Sequence, residues 1–313
     1  MNLDHLHPHL IWTLGGIYGF LIFATVFVFL MGIKNPEKDN KELVDRIKTC
    51  WIIVTVYTLV TCLQRGISLV FFAFLSFLAL KEYLSIIPTR RADRRVLFWA
   101  YLAIPLQYLW AGIEWYGMFI IFIPVYMFLF LPFRMLMAGE SRGFLAAIGT
   151  LHWGLMTTVF SLSHLAFLFV LPDEGNPNGG GAALALFLVM LTQLNDVFQY
   201  ISGKLFGKNP ISPHISPNKT REGLIGGVLM TTLLATLLAP WLTPLGFVES
   251  LGAGLLLSLA GFIGDLSVSA LKRDLGRKDA GNLLPGHGGI LDRVDSLSYT
   301  APLFFHYVRY LCF

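Results

Sequence analysis

Between Ser269 and Asp295 the chain reads SALKRDLGRKDAGNLLPGHGGILDRVD. Asp274, Asp279, Asp292 and Asp295 stand there among Lys272, Arg273, Lys278 and Arg293, around a Gly-His-Gly-Gly turn and without apolar periodicity. Acids, bases and glycines mixed in this way suit the holding of a metal-bound polyphosphate. Carboxylates bind a hard cation, Lys and Arg meet phosphate oxygens, and glycines let backbone N–H groups come close. A solvated basic loop is the plain alternative, but such a loop does not need a run of carboxylates.

Asp265 extends the pattern, because it lies inside the otherwise apolar stretch GFIGDLSVSALK. An ionisable side chain at membrane depth costs about 2.5–3.5 kcal/mol on insertion scales and is read first as functional; a carboxylate close enough to the interface to reach water is the structural alternative. Asp196, in LTQLNDVFQYISGKLFGK, is a second acid of this kind, followed by a Gly and Lys spacing that suits a phosphate or a snorkelling helix end. In SPNKTREGLIGG, Lys219, Thr220 and Arg221 precede a Gly-rich helix start, where unpaired N–H groups and the positive dipole end favour anions. The glycines follow the Lys, so this is not a Walker A loop.

These residues need a frame, and the composition says which kind. Of 313 residues 55% are hydrophobic and 13% charged, with 26 Phe, more apolar side chain than a water-soluble domain of this size keeps off its surface. A helix crosses a bilayer with roughly 20 apolar residues. Cutting at charged and Pro/Gly-rich stretches leaves the segments His9–Ile33, Thr49–Leu63, Gly66–Ile87, Val96–Ile113, Trp115–Pro132, Ala146–Leu171, Gly181–Ser202, Gly223–Thr243, Leu251–Leu271 and Tyr299–Phe313. The second and last are short for a full crossing. The first is too long for a signal-peptide core and lacks a basic flank and a cleavage site, so it is expected to stay as a spanning helix. Cys50, Cys62 and Cys312 show no CxxC spacing and indicate neither a disulfide framework nor a zinc site.

Cytoplasmic loops collect Lys and Arg. With the amino terminus outside, all of the 23 Lys and Arg except Arg65 and Arg309 fall in inside loops, and the acidic connector PDEGNPNGG (172–180) falls outside. The net charge of +4 thus follows membrane topology and does not call for nucleic acid. The expected fold is all-α, a polytopic transmembrane bundle of about ten spans. Residues 1–180 are expected to form a lipid-facing scaffold, and residues 181–313 a catalytic region with polar cytoplasmic loops at 203–223 and 272–298.

The run Ser269-x-Leu271-Lys272-Arg273, then Lys278-Asp279-x-Gly281, then Pro285-x-His287-Gly288-Gly289-Ile290-x-Asp292-Arg293-Val294-Asp295 resembles the signature of the phosphatidate cytidylyltransferases (CDP-diacylglycerol synthases) at every defined position. The resemblance extends to Asn195-Asp196, Tyr200, Gly203-Lys204-x-Phe206-Gly207-Lys208 and Ser216-Pro217-x-Lys219-Thr220-x-Glu222-Gly223, roughly the last 120 residues in all. It implies transfer of a cytidylyl group from CTP to phosphatidate or a similar phosphorylated lipid, with release of pyrophosphate and a requirement for Mg2+, a second cation being compatible. In that family the Asp of a Gly-Asp-Leu element and the Asp of a Leu-Asp-Arg element hold the metals. The matching positions are Asp265 and Asp292, with Lys272 and Arg273 beside them as catalytic candidates.

Asp196, Lys219, Thr220, Lys278, Asp279, His287, Gly288, Arg293 and Asp295 are the corresponding substrate-binding candidates. The implied setting is a bacterial inner membrane among membrane lipids, with the site on the cytoplasmic face and both termini outside; a homodimer is neither required nor excluded. Two positions depart from the family pattern. Val268 stands where a Glu is common, and Gln199 where an Ala is common, which bears on substrate identity. Other readings are a polyprenol or dolichol-type lipid kinase, a transporter using Glu82, Glu114, His152 and His164 inside the membrane, and a scaffold with a relic loop. Nucleotide products separate them: pyrophosphate for the transferase, CDP for a kinase, neither for a transporter.

Overall fold

The computed structural model describes residues 7–34, 41–62, 65–90, 94–137, 139–277, 279–281 and 288–313. Among them stand ten long helices: α1 Pro8–Lys34, α2 Lys41–Cys62, α3 Arg65–Ile86, α4 Arg94–Gly112, α5 Tyr116–Leu136, α6 Phe144–Leu168, α7 Gly180–Phe206, α8 Arg221–Leu242, α9 Phe247–Asp274 and α10 Leu297–Cys312. Each coincides with one of the ten apolar segments of the sequence. Helix is the necessary form here, since lipid offers no partner to a backbone N–H or C=O and the segment must satisfy its own. Seven of them, α1, α3 and α5 to α9, are long and apolar enough to cross a membrane. The chain is an all-α, polytopic integral membrane protein.

The large apolar side chains left exposed, Phe20, Phe23, Phe27 and Phe29 on α1 among them, are the lipid-facing surface. Burial ranks the helices. The apolar window of α1 is 17% buried, against 56% for α7 and 50% for α6 and α9, so α1 is peripheral and α6, α7 and α9 are central. Small and hydroxylated side chains bind the centre together, as expected where lipid supplies no hydrophobic drive between helices. Buried Asn195 of α7 donates to Ser258 O of α9 at 3.2 Å and accepts from Thr231 Oγ1 of α8 at 3.1 Å, and Thr192 of α7 meets Thr300 of α10 at 3.0 Å. One buried cluster runs through helices of both halves of the chain.

The stretch 203–223, expected as an open polar loop, is mostly ordered. Helix α7 continues to Phe206, and strands β1 (Pro210–Ser212) and β2 (Ser216–Thr220) pair antiparallel before α8 starts at Arg221. The Glu222 carboxylate closes this hairpin onto α8 by accepting from Lys208 N, Asn209 N and Asn209 Nδ2 at 3.1, 3.2 and 2.6 Å. Thr220 caps α8, its Oγ1 accepting the Gly223 N–H at 3.1 Å. In the second polar stretch a short helical turn, Leu291–Val294, leads into α10.

Candidate active site

Asp265, Ser269 and Lys272 follow one another at i, i+4 and i+7 on α9, so they share a helix face. Ser269 Oγ donates to Asp265 Oδ1 at 3.2 Å. The other oxygen, Oδ2, pairs with the Lys219 ammonium of β2 at 2.7 Å, and that ammonium also lies 4.8 Å from the centre of the Phe262 ring. A turn further on, Lys272 Nζ meets Asp292 Oδ1 at 2.6 Å. Asp292 Oδ2 accepts two backbone N–H groups, from Ala280 and Gly289, each at 3.1 Å. Two separate pieces of the signature segment, at Ala280 and at Gly289, are thereby held by one carboxylate.

Asp196 of α7 reaches the same place from the other side. It lies within electrostatic reach of Asp265, Lys219 and Arg293. Ser296 Oγ stands 3.1 Å from Asp196 Oδ2, 3.3 Å from Oδ1 and 3.2 Å from Gly261 O, and its single proton serves one of them. Asp295 accepts the Ser296 N–H at 2.7 Å. Burial, and then the negative charges of Asp265 and Asp196, push the Asp295 carboxyl well above the usual carboxylate range. This close approach depends on Gly264, where a Cβ would come 2.6 Å from Asp295 O. A cavity of about 210 Å3 opens here, lined by Asp196, Gln199, Ser216, Asn218, Lys219 and Asp265 among others.

The structure thus gathers Asp196, Asp265, Asp295, Lys219, Lys272 and Arg293, with Asp292 adjacent through Lys272. Thr220 lines the cavity while capping α8. Gly288 takes a positive φ of 76° next to Asp292, a conformation that glycine alone adopts readily. Asp279 is exposed beside Ala280. Arg273 points elsewhere, its guanidinium donating to Ile215 O in the hairpin at 3.2 Å and to Arg277 O at 3.3 Å. Lys278 and His287 lie outside the described residues. Val268 is buried. Gln199 lines the cavity wall, and its Nε2 is buried without a hydrogen-bond partner.

Sequence reasoning did not single out Ser296 or connect Glu82 with this site. Glu82 lies in the last turns of α3, and its Oε2 accepts the Ile290 N–H at 2.8 Å. Asp196, Asp265, Asp292, Asp295 and Glu82 outnumber Lys219, Lys272 and Arg293, so the site carries an excess of acid. That excess, made of hard oxygen donors, fits a divalent cation. Among the described residues no three acids, histidines or cysteines form a ready-made cation site.

A larger cavity, about 440 Å3, lies at the other end of α3, about 25 Å away by helical rise, and is lined by Arg65, Asp173, Asn176 and the glycines that open α7. Its charges satisfy each other, Arg65 pairing with Asp173 at 2.9 Å. The residues of the transport reading do not form a path. Glu114 is exposed in the turn after α4, His152 is half-buried, and His164 is buried among Phe119, Phe160 and Phe305.

Over 301 residues the chain is 44% identical to "Uncharacterized protein YnbB" of Escherichia coli (strain K12), covering 96% of this chain and 99% of the relative. It is 43% identical over 130 residues to the phosphatidate cytidylyltransferase of Staphylococcus aureus (strain COL), and 41% identical over 121 residues to that of Helicobacter pylori (strain ATCC 700392 / 26695). Each of those two matches covers 39% of this chain, and the matched lengths are 48% and 45% of the relatives. The sequence model of the cytidylyltransferase family matches residues 44–311, nearly the whole length, and the chain belongs to that family.

Proposed function

We propose that this protein transfers a cytidylyl group from CTP to phosphatidate, giving CDP-diacylglycerol and pyrophosphate. The observation that carries the reading is the meeting of Asp196, Asp265 and Asp295 with Lys219 and Lys272 beside a cavity at one end of a membrane bundle. A water-soluble triphosphate and a lipid phosphate can both reach such a place. Family membership and the names of the partial relatives support the CTP-transfer chemistry.

In the reaction an oxygen of the lipid phosphate forms a bond to the α-phosphorus of CTP, and the bond from that phosphorus to the bridging oxygen breaks. Pyrophosphate leaves with the electron pair. The nucleophile is already an anion, so no side chain has to take a proton, and the work of the protein is alignment and charge stabilisation. Lys272 donates one N–H to Asp292, Lys219 is paired with Asp265 by charge without a hydrogen bond, and both ammonium groups keep donors for phosphate oxygens. Arg293, whose Nε is buried without a partner, has a donor free for the same use. Asp265 and Asp292 would hold Mg2+, with Asp196 next in line; each of the first two already accommodates a positive charge in the form of a lysine ammonium. Bound there, the cation would neutralise the triphosphate and the departing pyrophosphate.

The positive-inside distribution supports a cytoplasmic site in a bacterial inner membrane. The start of α1 and the end of α10 lie away from the site: His9 packs on Trp241 at the end of α8, and Tyr307 bonds Glu249 O at the start of α9. That arrangement supports termini outside. A second reading, a phosphorylated lipid other than phosphatidate, is favoured by the unpartnered Gln199 amide in the cavity wall, which offers a hydrogen bond that a bare phosphate monoester does not require. The test is purified protein with CTP, Mg2+ and a panel of phosphorylated lipids, scored by pyrophosphate release. Release with phosphatidate supports the main reading, release with another lipid alone supports the second, and release with none refutes both.

A further inference from the structure

The last turns of the apolar helix α3 carry a half-buried carboxylate, that of Glu82. Glu82 Oε2 takes the N–H of Ile290, and Oε1 is buried with no hydrogen-bond partner. A Cβ on Gly281 would come 2.9 Å from Glu82 Cδ, and a Cβ on Gly289 would overlap Oε1. The two glycines therefore flank the carboxylate, and the volume their side chains would take is the volume it fills. Gly289 N donates to Asp292 and the next N–H, that of Ile290, donates to Glu82. Consecutive amides are thus held by two carboxylates, one on each side of the turn, and Glu82 and Asp292 lie within electrostatic reach of each other and of Lys272.

The post that carries Glu82 is itself fixed. Tyr83, the next residue, donates its hydroxyl to Thr150 O of α6 at 2.7 Å, and its ring occupies the space that a side chain at Gly154 would need. Ordinary topology needs no acid here, and a solvated one would not displace side chains from two glycines. We propose that Glu82 is a positioning residue: through Ile290 and the two flanking glycines it seats the turn that presents Asp292, and so links the amino-terminal helices to the chemistry. The proposal extends the function given above, through the role assigned there to Asp292.

The test is amide hydrogen exchange, read by mass spectrometry on a peptide covering 288–294, in wild type, Glu82→Ala and Glu82→Gln held in nanodiscs. Glu82→Ala should speed exchange in that peptide about tenfold or more and leave peptides of α5 unchanged, whereas Glu82→Gln, which keeps an acceptor for Ile290 N–H, should stay within about threefold of wild type. In the pyrophosphate assay Glu82→Ala should lose about 10–100-fold in kcat with the KM for CTP within about twofold, and Glu82→Gln should recover most of it. Gly289→Val, whose side chain would take the space of Oε1, should open the same peptide if Glu82→Ala cannot be folded. Wild-type exchange in Glu82→Ala or in Gly289→Val would overturn the proposal, as would Glu82→Gln exchanging as fast as the alanine variant. If the wild type releases no pyrophosphate, the exchange result still decides the role of Glu82, and only the proposed reaction falls.

Discussion

Lys272 and Asp292 form the most enclosed ion pair among the described residues, with side chains 12% and 7% exposed and a separation of 2.6 Å. Lys219 and Asp265, at 2.7 Å, are more open, at 16% and 29%. Replacing Lys272 by Met leaves a buried carboxylate that still has two backbone N–H groups, so the loss belongs at the lower end of the range for breaking a buried pair, about 3 kcal/mol. Replacing Asp292 by Asn strands the ammonium and costs a similar amount. Removing both charges together should cost less than the sum, because the double variant leaves no lone charge behind. The coupling in a double-mutant cycle should be about 2–3 kcal/mol for this pair. For Lys219 and Asp265 solvent screens the interaction, and a coupling of about 1 kcal/mol is expected. Unfolding titrations in mixed micelles on the variants of each cycle give both numbers. A coupling for Lys272 and Asp292 below about 0.5 kcal/mol, or below that of the more open pair, would refute the reasoning from burial.

Four further outcomes follow from contacts described above. Thr220→Ala removes the cap of α8 and should lower stability by about 1 kcal/mol in the same titrations, while Thr220→Ser should restore most of it. Asn195→Leu removes the bonds from α7 to Ser258 and Thr231, and should cost about 1–2 kcal/mol, since interhelical hydrogen bonds in membranes average well under 1 kcal/mol with a maximum near 1.7. A cation on Asp265 cancels part of the charge that raises Asp295, so cation binding should release its proton. Apparent Mg2+ affinity, measured by calorimetry, should then rise with pH by up to about tenfold per unit until Asp295 is ionised in the free protein; affinity that stays flat as pH is raised above the ordinary carboxylate range would contradict it. Chelation should abolish pyrophosphate release, and added Mg2+ should restore it.

How far the sequence showed this arrangement can be judged residue by residue. The helices were legible because a bilayer imposes long apolar runs, so each segment cut from the sequence reappears as a helix. Asp265 was legible as an acid inside an apolar span and Lys272 as part of the signature run, and the i to i+7 spacing of a helix explains why both lie on one face of α9. The hairpin at Pro210–Thr220 was not, because its residues are turn formers with no alternating apolar pattern to mark a strand. Arg273 sits one residue from Lys272, but a helix turns about 100° per residue, which sends it to the hairpin instead of to the carboxylates. Glu82 was read with Glu114, His152 and His164 as a polar group inside the membrane. Its partner Ile290 is 208 positions away, and no local pattern reports a contact at that separation. The one available sign was an acid within an apolar helix end on the same membrane side as the polar stretch.

In the proposed reaction the α-phosphorus of CTP passes to a lipid phosphate at this cluster of carboxylates and lysines. The most direct measurement incubates the purified protein with phosphatidate, Mg2+ and CTP carrying phosphorus label at the α or the γ position, in wild type and in folded Asp292→Asn, and then counts the lipid extract. The expected result is α label in the lipid, γ label in water-soluble pyrophosphate, and loss of both transfers in the variant. Label from the γ position in lipid, or full transfer by Asp292→Asn, would contradict it.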